Sequence, residues 1–311
     1  MKNKLLAVLA TLSVVASASA VKINNNLSIN GFIDGSYKLV DNDSRADDQG
    51  LDADEAEINF VLTNGAVSGL IAIDSHEIGG ANDLDIEQAH FTYDLGNGIS
   101  MTFGRYGSAL GFEREDPAGL YTYSRAYLSA NIGDVDSSAV EGVTVAYAAD
   151  QFSIAASFEN ERGANLEQDD LDLELSFSYN GIADTVIGGG YLFDNEAAAG
   201  DEEDVLNLHA SRSFGKFLFA VEYSEFSTDA SDRDAFLVLV DYDFNDKIGV
   251  ALRFSDEENA ENDGVTGDYD KFTIAPNYAI TENLGAIIEF SDVDFNNADS
   301  NEIAVELTYT F

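Results

Sequence analysis

The sequence predicts an all-β fold, a transmembrane antiparallel β-barrel of about sixteen strands. Three observations predict it. Apolar and polar residues alternate with period two through segment after segment, which sets one kind on each face of a strand. Short turns alternate strictly with long acidic loops. Tyr and Phe collect near the strand ends, as two membrane interfaces require: Tyr37, Tyr223, Phe254 and Phe290 on the loop side, Tyr93, Tyr179, Phe244 and Phe311 on the turn side. A soluble sandwich or propeller would bury such apolar faces in its own core, and it gives no reason for the loop asymmetry.

Taken in order, the chain opens with Lys2 and Lys4, an apolar run over residues 5–15 and an exit through Ala18, Ser19 and Ala20. A basic start, a short apolar core and small residues at the exit describe a secretory signal peptide, residues 1–20, cleaved after Ala20. The run is too short to span a bilayer comfortably. The mature chain, 21–311, is expected to be one barrel with no plug domain ahead of its first strand. With Lys2 and Lys4 gone, 13 of the 15 basic residues face 58 acidic ones, a formal charge of −45. So acidic a chain repels nucleic acid and anionic surfaces. There are no cysteines, so an exported fold has no disulfides to rely on.

The first strand carries Leu27, Ile29, Ile33, Tyr37 and Leu39 against Ser28, Asn30, Asp34, Ser36 and Lys38, with Phe32 and Val40 out of step. An acidic loop, 41–55, leads to Ile58, Phe60 and Leu62, which end at the tight-hairpin pair Asn64-Gly65. Val67, Gly69, Ile71 and Ile73 return. Ala89, Phe91, Tyr93 and Leu95 alternate with Gln88, His90, Thr92 and Asp94, then Gly96-Asn97-Gly98 turns the chain into Ile99, Met101 and Phe103. Downstream the hairpins are regular: 143–147 with 152–158, 171–179 with 187–193, 206–210 with 217–223, 236–244 with 248–254, and 272–280 with 284–290. Pro276 cannot donate to a ladder, so it implies a bulge or one missing bond and leaves the count open by two. In the sixteenth strand Ile303, Val305, Leu307, Tyr309 and Phe311 alternate with Ala304, Glu306, Thr308 and Thr310.

Finishing on Phe311 resembles the bacterial outer-membrane barrels, whose last strand closes the barrel. One connection is out of proportion, the 37 residues 106–142 between the fifth and sixth strands. A loop that long in a compact fold usually has a functional role. By alternation it is the third loop on the long-loop side. In sixteen-stranded porins the third loop folds inward and narrows the channel, and this one matches in rank and length. Its sequence adds a family resemblance. Gly104-Arg105-Tyr106, Gly111-Phe112-Glu113 and Tyr123-Ser124-Arg125-Ala126-Tyr127-Leu128 resemble the OmpL-like outer-membrane β-barrel porins (beta-barrel porin-2), as does Glu87-Gln88-Ala89-His90-Phe91 upstream. The resemblance covers roughly residues 87–128 and implies an outer-membrane channel without naming a solute. Porins of this size are often trimeric, so a homotrimer is a further expectation.

Strand parity separates a lumen face from a lipid face. The lumen face receives Asp34, Glu57, Asp74, Asp94, Glu159, Asp172, Glu174, Glu222, Asp241, Asp243, Glu289, Glu302 and Glu306 against Lys38, Arg253 and Lys271. Rings of Asp and Glu favour cations in a water-filled pore. In the third loop, Glu113, Arg114, Glu115 and Asp116, with Arg125 further on, are the candidate constriction. The alternative leaves them solvated on an outward-lying loop, or tying it to the wall.

No cofactor is expected beyond weak divalent-cation binding by the acidic loops. Residues 259–270 imitate a calcium loop only loosely, with Asp263-Gly264 at the turn and Asp270 where Glu belongs. His76, His90 and His209 are the only histidines, and no spacing gives one a catalytic partner. The expected function is a passive, cation-preferring porin whose partners are membrane lipid, lipopolysaccharide, cations and small hydrophilic solutes. The competing readings are a non-conducting barrel that acts as an adhesin or receptor through its acidic loops and, behind it, a barrel enzyme.

Overall fold

A computed structural model describes residues 20–42, 48–76, 84–113, 116–130, 139–160, 171–195, 203–228, 232–262, 264–296 and 298–311. Residues 1–19, where the signal peptide is expected, and Arg114, Glu115 and Asp263, lie outside them. After a two-residue ladder, β1 (Val21–Lys22), sixteen staves follow. They are β2 (Leu27–Asn42), β3 (Asp48–Asn64), β4 (Val67–His76), β5 (Asp85–Gly96), β6 (Ile99–Tyr106), β7 (Val140–Ala148), β8 (Phe152–Glu159) and β9 (Asp172–Tyr179). The second half comprises β10 (Thr185–Phe193), β11 (Glu203–Phe214), β12 (Phe217–Thr228), β13 (Asp232–Asn245), β14 (Ile248–Asn262), β15 (Val265–Ala279), β16 (Leu284–Phe295) and β17 (Ala298–Thr310). A single turn of 3-10 helix, Pro117–Gly119, sits in the third loop.

Each stave pairs antiparallel with the next, and β17 pairs with β2 from Ser300↔Asn42 to Thr310↔Phe32, which closes the ring. Phe311 and Gly31 extend that seam, each donating its backbone N–H to the other's carbonyl at 3.0 Å. Only glycine fits at residue 31, because a Cβ there would lie 2.1 Å from the Glu57 carbonyl oxygen and 2.9 Å from the Phe311 ring. Among the described residues closure leaves no free edge, so the staves satisfy their backbones within the wall except where Pro276 interrupts a ladder.

The outer face is apolar and uncovered: Ile33, Phe91, Leu208, Phe219, Ile288 and Leu307 are all exposed. The alternate residues turn inward and are largely polar and buried, Glu57, Asp74, Glu174, Asn207, Arg253 and Glu306 among them. In water this arrangement would be inverted, and in a bilayer it is the stable one.

Two expectations about element limits change. Residues 41–55 are only partly a connection, since β2 runs to Asn42 and β3 starts at Asp48. The calcium-like stretch 259–270 is largely ladder, with Ala260↔Gly267, Glu261↔Thr266 and Asn262↔Val265 paired. Above the membrane both faces of a stave meet water, so pairing continues where the apolar rhythm has stopped. Pro276 pairs with Val250 on β14, but towards β16 the ladder lapses between Ile274↔Phe290 and Asn277↔Ile287. The missing rung therefore costs no stave.

Candidate functional site

The third loop leaves β6 after Tyr106 and turns into the barrel. Its course is fixed by a row of inward side chains that accept its hydrogen bonds. Glu174 on β9 takes Ser108 Oγ–H at 2.5 Å and the Ala109 N–H at 2.9 Å. Asn207 on β11 takes the Gly111 N–H at 3.1 Å, and Glu222 on β12 takes the Phe112 N–H at 2.5 Å. Further on, Glu257 on β14 accepts the Leu128 and Ser129 N–H groups at 2.9 and 3.1 Å. Glu289 on β16 accepts the Ser124 N–H at 3.1 Å. A loop carries backbone donors that no ladder satisfies, and buried carboxylates are strong acceptors for them.

Arg253 on β14 is the staple. β14 stands eight staves round from β6, on the opposite wall. The guanidinium, with no exposed surface, donates to Glu113 Oε1 at 2.6 Å and Thr122 Oγ1 at 2.7 Å. It also donates to Ser124 Oγ at 3.2 Å and the Arg125 carbonyl at 2.8 Å. Glu113 completes the clamp by accepting the Ala126 N–H at 2.9 Å through its second oxygen. The fork geometry of Arg lets one buried cation hold loop segments that are distant in sequence.

Between these polar contacts lies an apolar seam. Leu110, Ala126, Tyr127 and Ala130 of the loop pack on Leu192, Val205, Ala220, Ala235, Leu237 and Leu239, which face inward from β10 to β13. The interior is therefore filled on that side by a dry core. On the far side, against β2, β3, β16 and β17, a cavity of about 520 Å³ remains. Lys38, Asp52, Tyr123, Ser124, Glu289 and Glu302 line it.

The structure brings some of the expected charged residues together and separates others. Asp34, Glu57, Asp74, Glu159, Asp172, Glu174, Glu222, Glu289, Glu306, Arg253 and Lys271 are all buried. Asp241 is half-buried, whereas Lys38, Asp94 and Asp243 are exposed. Lys271 Nζ lies 3.9 Å from Glu302. Asp116 is buried with Glu57 and Glu87, one carboxylate oxygen of each within 4.8 Å of the others. Arg125 contributes its carbonyl to Arg253, and Arg114 and Glu115 fall outside the described residues. His209 Nδ1 lies 3.1 Å from Asn207 Oδ1, and His90 is buried edge-on to Tyr106.

Three interior groups go unflagged by the charge pattern on the strands, and only one of them, Glu87, breaks parity. Glu257, past the last apolar residue of its strand, lies in the ladder extension. Glu87 turns inward because a β-bulge breaks the register between Ala72↔Gln88 and Ile73↔Ile86, and a bulge re-aims the side chain it carries. Leu237 and Leu239 lie on the inner face, and here the sequence does carry a signal. Residues 235–240 are apolar at both parities, the mark of a strand covered on both sides.

The sequence matches the model of the beta-barrel porin-2, OmpL-like family over residues 48–311. This chain belongs to that family. The porin is also similar in fold to solved outer-membrane proteins. A DcaP channel of Acinetobacter baumannii superposes with a TM-score of 0.71 at 14% identity, over 94% of this chain and 100% of that one. An anion-selective porin from Comamonas acidovorans gives 0.69 at 11% identity, over 92% and 99%. OmpF of Salmonella typhi, solved with daunomycin, gives 0.68 at 14% identity, over 94% and 100%. No curated protein matches the sequence. The porin is thus an outer-membrane barrel of a channel-forming family.

Proposed function

We propose that this porin lets ions and small hydrophilic solutes diffuse passively across the outer membrane and prefers cations. The observation that carries the reading is the loop folded across the barrel with a cavity left beside it that Lys38, Asp52, Glu289 and Glu302 help to line. Several interior acids are spent as acceptors for the loop, so selectivity falls to those that remain in contact with water. These are Asp52 and Glu302 on the loop side and Asp94, Asp241 and Asp243 on the turn side. Fixed negative charge at both mouths raises the local cation concentration. Arg125, Arg114 and Glu115 screen solutes at the constriction, while Glu113, and Asp116 buried beside Glu57 and Glu87, act through the position they give the loop.

Export through a signal peptide cleaved after Ala20, assembly as a homotrimer, contact with lipopolysaccharide and weak divalent-cation binding by the acidic loops complete the proposal. The reversal potential of the purified mature porin in a planar bilayer under a salt gradient tests it. Stable conductance with a cation-selective potential is expected. An anion-selective potential would overturn the preference and keep the channel. No conductance from a folded, heat-modifiable barrel would overturn the channel and favour the adhesin reading.

A further inference from the structure

We propose that the passage through this porin runs off-centre, along β16, β17, β2 and β3, and that Tyr123 is its narrowest residue. The inference rests on the channel reading above and says where within the barrel the route lies. The β10 to β13 side is closed by the seam between the loop and Leu237, Leu239, Val205 and their neighbours, a dry core that admits no hydrated solute. The far side holds the cavity of about 520 Å³. Tyr123 reaches from the loop into that space, its Oη 3.0 Å from Ser36 Oγ on the wall. The Lys38 ammonium sits 5.7 Å from the ring centroid, within range of a cation–π attraction.

The inward positions of β2 then read as a depth scale. Lys38 is exposed in the cavity, Ser36 is buried against Tyr123, and Asp34 is buried below it, beside Glu306 on β17. The change from exposed to buried falls where the phenol touches the wall. Between the cavity and those buried groups stands Tyr123, with one hydroxyl contact to Ser36 and the Lys38 ammonium beside its ring. Lys38 is also a positive charge among Asp52, Glu289 and Glu302, so it moderates the preference that those acids set. Both side chains determine specificity, one by width and one by charge.

The chain has no cysteine, so single-cysteine variants report position without interference. Lys38→Cys, Ser224→Cys on the closed side, Tyr123→Ala and Tyr123→Phe would be refolded, checked for heat-modifiable migration, and recorded as single channels. A bulky, positively charged methanethiosulfonate added from the loop side is drawn to the acidic mouth, and is expected to cut the Lys38→Cys current by half or more and to leave Ser224→Cys unmoved. Tyr123→Ala is expected to raise unit conductance by roughly two-fold, since flux follows the width of the tightest point. Tyr123→Phe keeps the ring and is expected to stay close to the parent. An ordinary parental channel whose Lys38→Cys current ignores the reagent, and whose Tyr123→Ala conductance is unchanged, would overturn the route and leave the porin standing. A parent without current would overturn the channel reading, and the route with it.

Discussion

Arg253 shows what one residue does for this interior. A guanidinium without solvent contact bonds acceptors on residues 113, 122, 124 and 125, and the nearest of them lies 128 positions away in the chain. Removing it leaves Glu113 buried without its cation, which typically costs about 3–5 kcal/mol. Arg253→Met is therefore expected to lower the urea midpoint of the folded, heat-modifiable form and to make the current noisy as the loop loosens. Adding Glu113→Gln removes the stranded charge, so the double variant should recover part of that loss. A double variant less stable than Arg253→Met alone would contradict the staple. Strand parity finds Arg253 as an inward base, but it says nothing about what the guanidinium holds, because the partners lie in a non-repetitive loop. Glu87 was out of reach for a different reason, since a bulge resets the phase that parity depends on.

Staves are legible where they cross the membrane and illegible where they leave it. The turn-side ends agree with the sequence because a tight hairpin needs particular residues: Gly215 holds φ +62° at the turn between Phe214 and Phe217, a conformation glycine adopts without cost. On the loop side, β3 and β14 continue through acidic sequence with no alternation to mark them. The inner face of β13 is a second case. Its doubly apolar run, residues 235–240, signals cover on both sides, and the cover is the third loop. Leu237→Ala opens a cavity in that seam and is expected to cost about 2–5 kcal/mol, measured by urea unfolding in detergent. A water-lined wall would lose almost nothing by the same change, so an unaltered midpoint would argue against a dry seam.

Across the whole molecule, alternation, loop asymmetry and aromatic ends were enough to give a closed barrel. The division of its interior into a side closed by the loop and a side that keeps a cavity was not readable, because it depends on where one loop comes to rest. Net charge acts at this scale too. With 58 acidic against 15 basic residues, the field at the mouths is long-ranged in dilute salt and short-ranged in concentrated salt. The Debye length falls from about 10 Å at 0.1 M to about 3 Å at 1 M. The cation-to-anion permeability ratio is therefore expected to fall as the mean salt concentration of the two chambers rises, at a fixed gradient. A ratio independent of salt would point to contact selection at the constriction in place of the mouths.

The seam between Phe311 and Gly31 has a consequence for biogenesis. These residues stand 280 positions apart (311 − 31), yet each satisfies the other's backbone. Without the β17–β2 pairing the same sheet would be a ribbon with two open margins, and each margin would be a template for any other extended chain. Closing the ring joins the most distant parts of the sequence, a contact separation of the kind that slows folding. A variant that lost only its last few rungs would keep nearly all its mass and its loop, but it would remain an unclosed ribbon prone to pair with strangers.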